Sequence, residues 1–303
     1  MGRSCLSFFS SCPCGGFPSA LRLSYPASVT INQVKVSIMA WLLLLASLIL
    51  AWLVLPRWRL RLIQKQAFPL HYSRILRQRL PWYKHMPTHL QLQLKQHIKR
   101  FLFEKTFVGC DGLVINDEIR VCIAARACLL QLNRETELYP KLSHILVYPG
   151  AFVVRRQQQQ AGGIISEQSQ GLSGESWIDG RVILAWDQIN HPDLPGQDVV
   201  IHEFAHQLDS ENGSTNGAPI LTSSGAYQHW SDVMSAAYQH LCEKTARGEA
   251  DVIDAYGCTN PAEFFAVCCE AFFCNSQALA QNHPSLHQLL LHYFKVDPRE
   301  WLA

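Results

Sequence analysis

The chain has 303 residues, 48% of them hydrophobic, and a formal net charge of +2. That is enough apolar material for one large or two ordinary domains, and it excludes a chain that is disordered overall. The balance of charge is close to neutral and no basic stripe interleaved with aromatics runs through the C-terminal two thirds, so nothing suggests direct nucleic-acid binding.

Residues 1–38 contain "SCLSFFSSCPCGGFPSA", rich in Ser, Cys, Gly and Pro. They resemble neither a targeting segment nor a folded module, and the expectation is a misplaced start with Met39 as the true first residue. From Ile38 to Leu55 the sequence is almost entirely apolar, and no charge falls between Lys35 and Arg57. That length approaches the ~20 residues that cross a bilayer, and Trp41, Trp52 and Trp58 stand where interfacial aromatics sit. The run ends in Arg57, Arg59, Arg61 and Lys65, which predicts a single-pass inner-membrane anchor with the following domain in the cytoplasm. Residues 56–79 read as a basic juxtamembrane linker and residues 80–303 as the functional domain.

Within that domain, Leu90, Leu92, Leu94, Ile98, Phe101 and Leu102 have helical spacing, and the helix is expected to end near Gly109. "INDEIRVCIAARACLLQL" reads as a second helix, capped by Asn116 or Asp117. "HILVYPGAFVV" is strand-rich, the Gln-rich stretch from Arg155 to Ser176 reads as a loop or hairpin tip, and Gly180 to Trp186 reads as a strand. The edge of that last strand is expected to hold an extended peptide. Eleven cysteines, without a C-x-x-C pair, lie largely in apolar runs and read as reduced thiols of a cytoplasmic protein. The cluster Cys268, Cys269 and Cys274 lacks regular metal-ligand spacing.

Positions 201–209 read "IHEFAHQLD". On a helix His202 and His206, four apart, project from one face, with Glu203 one step round it. Two imidazoles and an adjacent carboxylate are what a hydrolytic zinc centre uses; the alternative is a hydrogen-bonded structural histidine pair. Val199, Val200, Ile201, Phe204, Ala205 and Leu208 make the helix apolar, and buried polar groups there require partners that a metal would supply. The pattern with a third histidine after a glycine is excluded, because Asp209 and Asn212 occupy those places.

A third ligand must therefore come from later in the chain. "DAYGCTNPAEFFAVCCEAFF" offers a helix capped by Thr259 or Asn260, with Pro261 in its first turn and Glu263 and Glu270 two turns apart on one face. One carboxylate as ligand and the other as partner to a histidine would explain both interruptions of an apolar helix. Asp209 reads equally as an orienting partner to a ligand or as a local cap.

These two stretches, together with "FLFEKTFVGCDG", "IRVCIAARACL" and "SGESW", resemble the Mlc titration factor A family of zinc peptidases over roughly Leu80 to Trp301. The resemblance implies a gluzincin-like α/β (α+β) domain similar to the catalytic core of anthrax lethal factor. It implies one Zn2+ per chain on His202, His206 and Glu263, with Glu203 as general base and Tyr256 as a catalytic tyrosine. It implies a peptide or protein substrate, and as an alternative function the capture of a sugar-responsive transcriptional repressor. A third possibility is a structural membrane protein with a closed metal site and no hydrolysis. The apolar span and the Gln-rich insertion at 157–160 depart from typical soluble members.

Overall fold

A computed structural model describes residues 27–134, 137–150, 152–159, 165–172, 174–177, 180–191 and 196–302. The expected start at Met39 turns on a leader of which residues 1–26 lie outside the described residues. The chain divides into two compact units, Met1–Trp58 and Arg59–Ala303.

The first unit is helical where described. Helix α1 covers Ala27–Lys65, with Pro56 inside it, and carries a window of mean hydropathy 2.7, long and apolar enough to cross a membrane. The helix neither starts nor stops with the apolar run: it continues through Pro56 and the arginines into the second unit, since charge ends a span without ending a helix.

The second unit begins with α2 (Leu70–Arg79) and α3 (Thr88–Glu104). The linker expected over 56–79 is thus partly a packed helix: Leu76 is completely buried, and α2 lies against α4 (Asp117–Leu129). Helix α3 stops at Glu104 rather than near Gly109, and Thr106–Gly109 form strand β1. The β-branched and aromatic residues Thr106, Phe107 and Val108 favour the pleat. The buried Lys105 between them donates from Nζ to the carbonyls of Tyr139 (2.7 Å) and Leu142 (2.9 Å), which fixes the turn from helix to strand. Asn116 caps α4 by accepting from the Ile119 amide.

Then come β2 (His144–Tyr148), an antiparallel pair of β3 (Phe152–Gln159) and β4 (Ile165–Leu172), β5 (Gly174–Trp177) and β6 (Arg181–Ala185). The Gln-rich stretch is thus built largely of β3 and β4, in register from Phe152↔Leu172 to Gln159↔Ile165. The main sheet has the order β1-β2-β6-β5; β1, β2 and β6 are parallel and β5 runs antiparallel to β6. Strand β6, buried from Val182 to Ala185, is flanked on both sides, so the edge expected to bind a peptide is not its own. Among the described strands the edges of this sheet are β1 and β5, because "GESW" adds one more strand outside β6.

Helices follow: α5 (Trp186–Asn190), α6 (Val199–Asp209), α7 (Ser224–Ala246), α8 (Pro261–Cys274), α9 (Ser276–Asn282) and α10 (Pro284–Phe294). The second unit is therefore mostly helical with a small, largely parallel sheet. Helix α6 packs on α8, on α4 and on β5 and β6. Phe101, Phe204, Phe264, Phe265 and Phe272 are among the second unit's fully buried side chains. All eight cysteines among the described residues are free thiols.

Candidate metal centre

Asp198 starts α6 by accepting from the amides of Val200 (3.1 Å) and Ile201 (3.2 Å). From that fixed start, the helical repeat carries His202 and His206 to one face, toward α8. Asn260 starts α8 in the same way, accepting from Ala262 and Glu263, with Pro261 in the first turn. The two caps bring Glu263 opposite the histidines. Glu263 Oε2 lies 3.0 Å from His202 Nε2 and 3.2 Å from His206 Nε2, and the two Nε2 atoms are 3.3 Å apart.

One ligand atom from each of these three residues thus falls within 4.8 Å of the others, the only such cluster of three or more candidate ligand residues among the described residues. Two imidazole nitrogens and a carboxylate oxygen are the donor set that suits a borderline divalent cation such as zinc. The site fits a metal on a second count as well. Glu203, 4% exposed, has Oε2 buried without a protein hydrogen-bond partner, an expensive arrangement unless something else occupies that space.

Behind these three side chains lies a polar chain that prediction from sequence reached only in part. Glu270, two turns after Glu263, accepts at Oε1 from His202 Nδ1 at 2.8 Å and at Oε2 from the Asp198 amide at 2.7 Å. In the neutral ring a carboxylate at Nδ1 favours the proton there, the tautomer whose Nε2 lone pair faces the cluster. Asp198 in turn pairs with Arg126 of α4, Nε to Oδ2 at 2.6 Å. Arg126 and Asp198 did not stand out in the sequence, although an arginine inside the apolar "CIAARACL" and an aspartate before "VVIH" were the available signals.

Electrostatics reinforce the picture. Burial alone would depress His202, but the bonds to Glu263 and Glu270 and the charge of Glu203 outweigh it and push its pKa up to about 10. Burial drives the Glu203 carboxyl up to about 7, with His202 and His206 pulling the other way. Glu263 is held well below the usual carboxylate range, since its bonds to the two histidines overcome its burial. So many carboxylates around two imidazoles favour positive charge at the centre.

Tyr256 sits on a 3-10 turn, Ala255–Thr259, whose start is capped by Asp254 accepting from the Tyr256 amide at 2.8 Å. Gln197 ties that cap to the start of α6 through Asp254 Oδ2 at 2.7 Å. The Tyr256 ring lies 6.1 Å from that of His202, centre to centre, and is 52% exposed. Partial burial and then the charges of Glu263 and Glu203 raise its pKa. Gly257 next to it lets the turn lie on α8, as a Cβ there would meet Val267 Cγ2 at 2.7 Å.

Burial pushes the Asp209 carboxyl up, and Asp209 is close enough to His206 for that charge to oppose the push. Its Oδ2 accepts from the Gly217 amide at 2.8 Å, and no hydrogen bond joins it to His202 or His206 among the described residues. Gly217 has φ +78°, and a Cβ there would come within 2.4 Å of the Pro261 carbonyl oxygen. Asp209 therefore pins the loop after α6 against the first turn of α8, the turn that carries Glu263.

With this geometry in place, comparison with known proteins is informative. The family model described as glucose-regulated metallo-peptidase M90 matches residues 55–295. An uncharacterized protein of Synechocystis sp. is 41% identical over 246 residues, spanning 80% of this chain and 89% of its own length. Mlc titration factor A of Klebsiella pneumoniae is 34% identical over 224 residues, 72% of this chain and 84% of its own. The protein of the same name from Escherichia coli is 35% identical over 217 residues, 70% and 81% respectively.

Proposed function

The chain belongs to the glucose-regulated metallo-peptidase M90 family, and from that footing we propose that it is a zinc peptidase whose ion is held by His202, His206 and Glu263. The observation that carries the reading is their convergence beside a buried, unpartnered carboxylate oxygen on Glu203. Zinc held there supplies Lewis acidity, lowering the pKa of a water and polarising a carbonyl.

The chain's own residues do the rest. Glu203 accepts a proton from the attacking water and later delivers it to the leaving amine, a role suited to a buried carboxylate with one oxygen free of protein partners. Tyr256, at the exposed mouth, donates a hydrogen bond to the oxyanion of the tetrahedral state. Glu270 and, through it, Asp198 and Arg126 hold the His202 ring in the orientation the ion needs. Strand β5, an edge strand among the described residues and a neighbour of α6, offers main-chain hydrogen bonds to an extended peptide. This arrangement of sheet edge, histidine helix and glutamate helix is in keeping with a gluzincin-like core of the lethal factor kind.

The apolar helix α1 supports a single-pass anchor in the inner membrane, and the arginines after it favour a cytoplasmic peptidase domain. A second reading, capture of a sugar-responsive transcriptional repressor, is favoured by the name of the relatives, Mlc titration factor A. The two readings part in one experiment. Wild type and Glu203→Gln, both zinc-loaded, are offered a mixed peptide library. Hydrolysis by wild type with a loss of at least ~10^2-fold in the variant, at equal zinc content, supports the peptidase. Absence of cleavage by either shifts the weight to binding.

A further inference from the structure

The two ends of this near-neutral chain differ sharply in charge. Residues 56–103 contain eleven Lys and Arg and no Asp or Glu, whereas residues 104–303 contain all 24 acidic residues and only twelve Lys and Arg. The basic stretch begins two residues after Leu55, where the apolar run ends, and it is folded into α2 and α3 rather than left as a tail.

Between the end of α1 and these two helices lies a cleft of about 740 Å³. Five cations line it, Lys65, Arg74, Arg77, Lys95 and Lys99, and no carboxylate does. Two of the five are committed. Lys99 donates to the carbonyls of Gln64 (2.6 Å) and Gln66 (2.7 Å), and Lys95 lies over the Phe68 ring at 5.8 Å. Lys65, Arg74 and Arg77 are exposed and have neither a hydrogen bond nor an ion pair among the described residues. The same cleft presents Leu70 at 85% and Leu92 at 59% exposure. Unpaired cations repel one another, and exposed leucines lose water contact only against an apolar partner. Both costs are relieved by one ligand that is anionic at one end and apolar at the other.

We propose that this cleft takes the phosphate headgroup of an anionic phospholipid, with Lys65, Arg74 and Arg77 around the phosphate and Leu70 and Leu92 against the glycerol and upper acyl carbons. The inference rests on the membrane anchor proposed above. Lys65 follows Leu55 by only ten residues, a tether of about 15 Å where helical, short enough for leaflet phosphates to be within reach of the cleft. The lipid would dock the peptidase domain on the bilayer and set its orientation, a task that a single helix leaves open.

The test uses the full chain, zinc-loaded, in a neutral detergent. It is titrated calorimetrically with dihexanoyl phosphatidylglycerol, dihexanoyl phosphatidylcholine and inorganic phosphate. Saturable binding of phosphatidylglycerol is expected, weakening at least tenfold in K65Q/R74Q/R77Q, restored in K65R/R74K/R77K, and falling with added salt. All three side chains are exposed and unpaired, so these changes leave the fold intact, which equal zinc content verifies. The proposal is overturned if wild type does not bind phosphatidylglycerol or if the triple Gln variant binds it as well. It is equally overturned if inorganic phosphate or phosphatidylcholine binds as tightly. An alkaline carbonate wash of membranes reads the anchor separately, so failure of the span and failure of the lipid site are told apart.

Discussion

Helices α6 and α8 build one centre by different means. Helix α6 supplies two nitrogens from a single short motif, so the spacing within one element decides that both reach the same point. Helix α8 supplies two carboxylates that share a face and interrupt an apolar helix, Glu263 in the capped first turn and Glu270 two turns further on. Their division of labour is set by which side of one imidazole each meets. Glu263 meets Nε2 of His202, the side turned to the cluster, and Glu270 meets Nδ1, the side turned away. On the proposed assignment the ligand and its support are chemically identical residues, told apart by the side of His202 that each one meets.

Exchanging the two carboxylates in turn tests that assignment. Glu263→Ala is expected to give the largest effect, a loss of zinc affinity of more than about 100-fold with hydrolysis falling alongside, because a ligand atom is gone. Zinc content after gel filtration against a competing chelator measures it. Glu270→Ala is expected to weaken zinc by roughly 10–100-fold while leaving the three ligand atoms in place. If the two variants lost zinc equally, or Glu270→Ala lost more, the assignment of ligand and support would be reversed.

This contrast also marks how far sequence reading reaches. His202, Glu203 and His206 were legible because their relation is a helical repeat, and the caps of α4 and α8 because Asn before an acid or a proline has a local meaning. The end of α3 was not, since Phe103 and Phe107 prolong an apolar pattern through a change from helix to strand that Lys105 brings about by contacts 34 and 37 residues away. The order of the sheet was equally hidden. Strand β6 reads as a buried run, and only pairing with β2 on one side and β5 on the other shows that its edge is closed. Arg126 and Asp198 lie 72 residues apart, so no local pattern joins them.

A control outside the centre sharpens the comparison and carries the smallest effect. Asp251, its side chain 3% exposed, accepts from Lys244 Nζ at 2.6 Å and from His283 Nε2 at 2.7 Å, joining the end of α7 to the residue before α10. Burial would raise its pKa, but these two bonds and the Ile253 amide overcome burial and hold it at about 2, below the ordinary 3.8. A carboxyl depressed in the folded state binds its proton more readily when unfolded. Its contribution to stability is therefore complete above about pH 4 and is lost as pH falls toward 2. Asp251→Asn is expected to lower the urea midpoint modestly at neutral pH and to converge on wild type as the pH falls toward 2, with zinc content at neutral pH unchanged. Here, as at Glu263, a buried carboxylate is held by cationic or cation-ready side chains. What separates the two is that Asp251 faces an ammonium and one imidazole, groups that satisfy it completely, whereas Glu263 faces two imidazole nitrogens that converge on a single oxygen and so leave lone pairs for an ion. Loss of zinc from Asp251→Asn would mean that the centre depends on the packing of α7 and α10 as well as on the α6 and α8 pair, and the comparison between those two helices would have to be widened to include them.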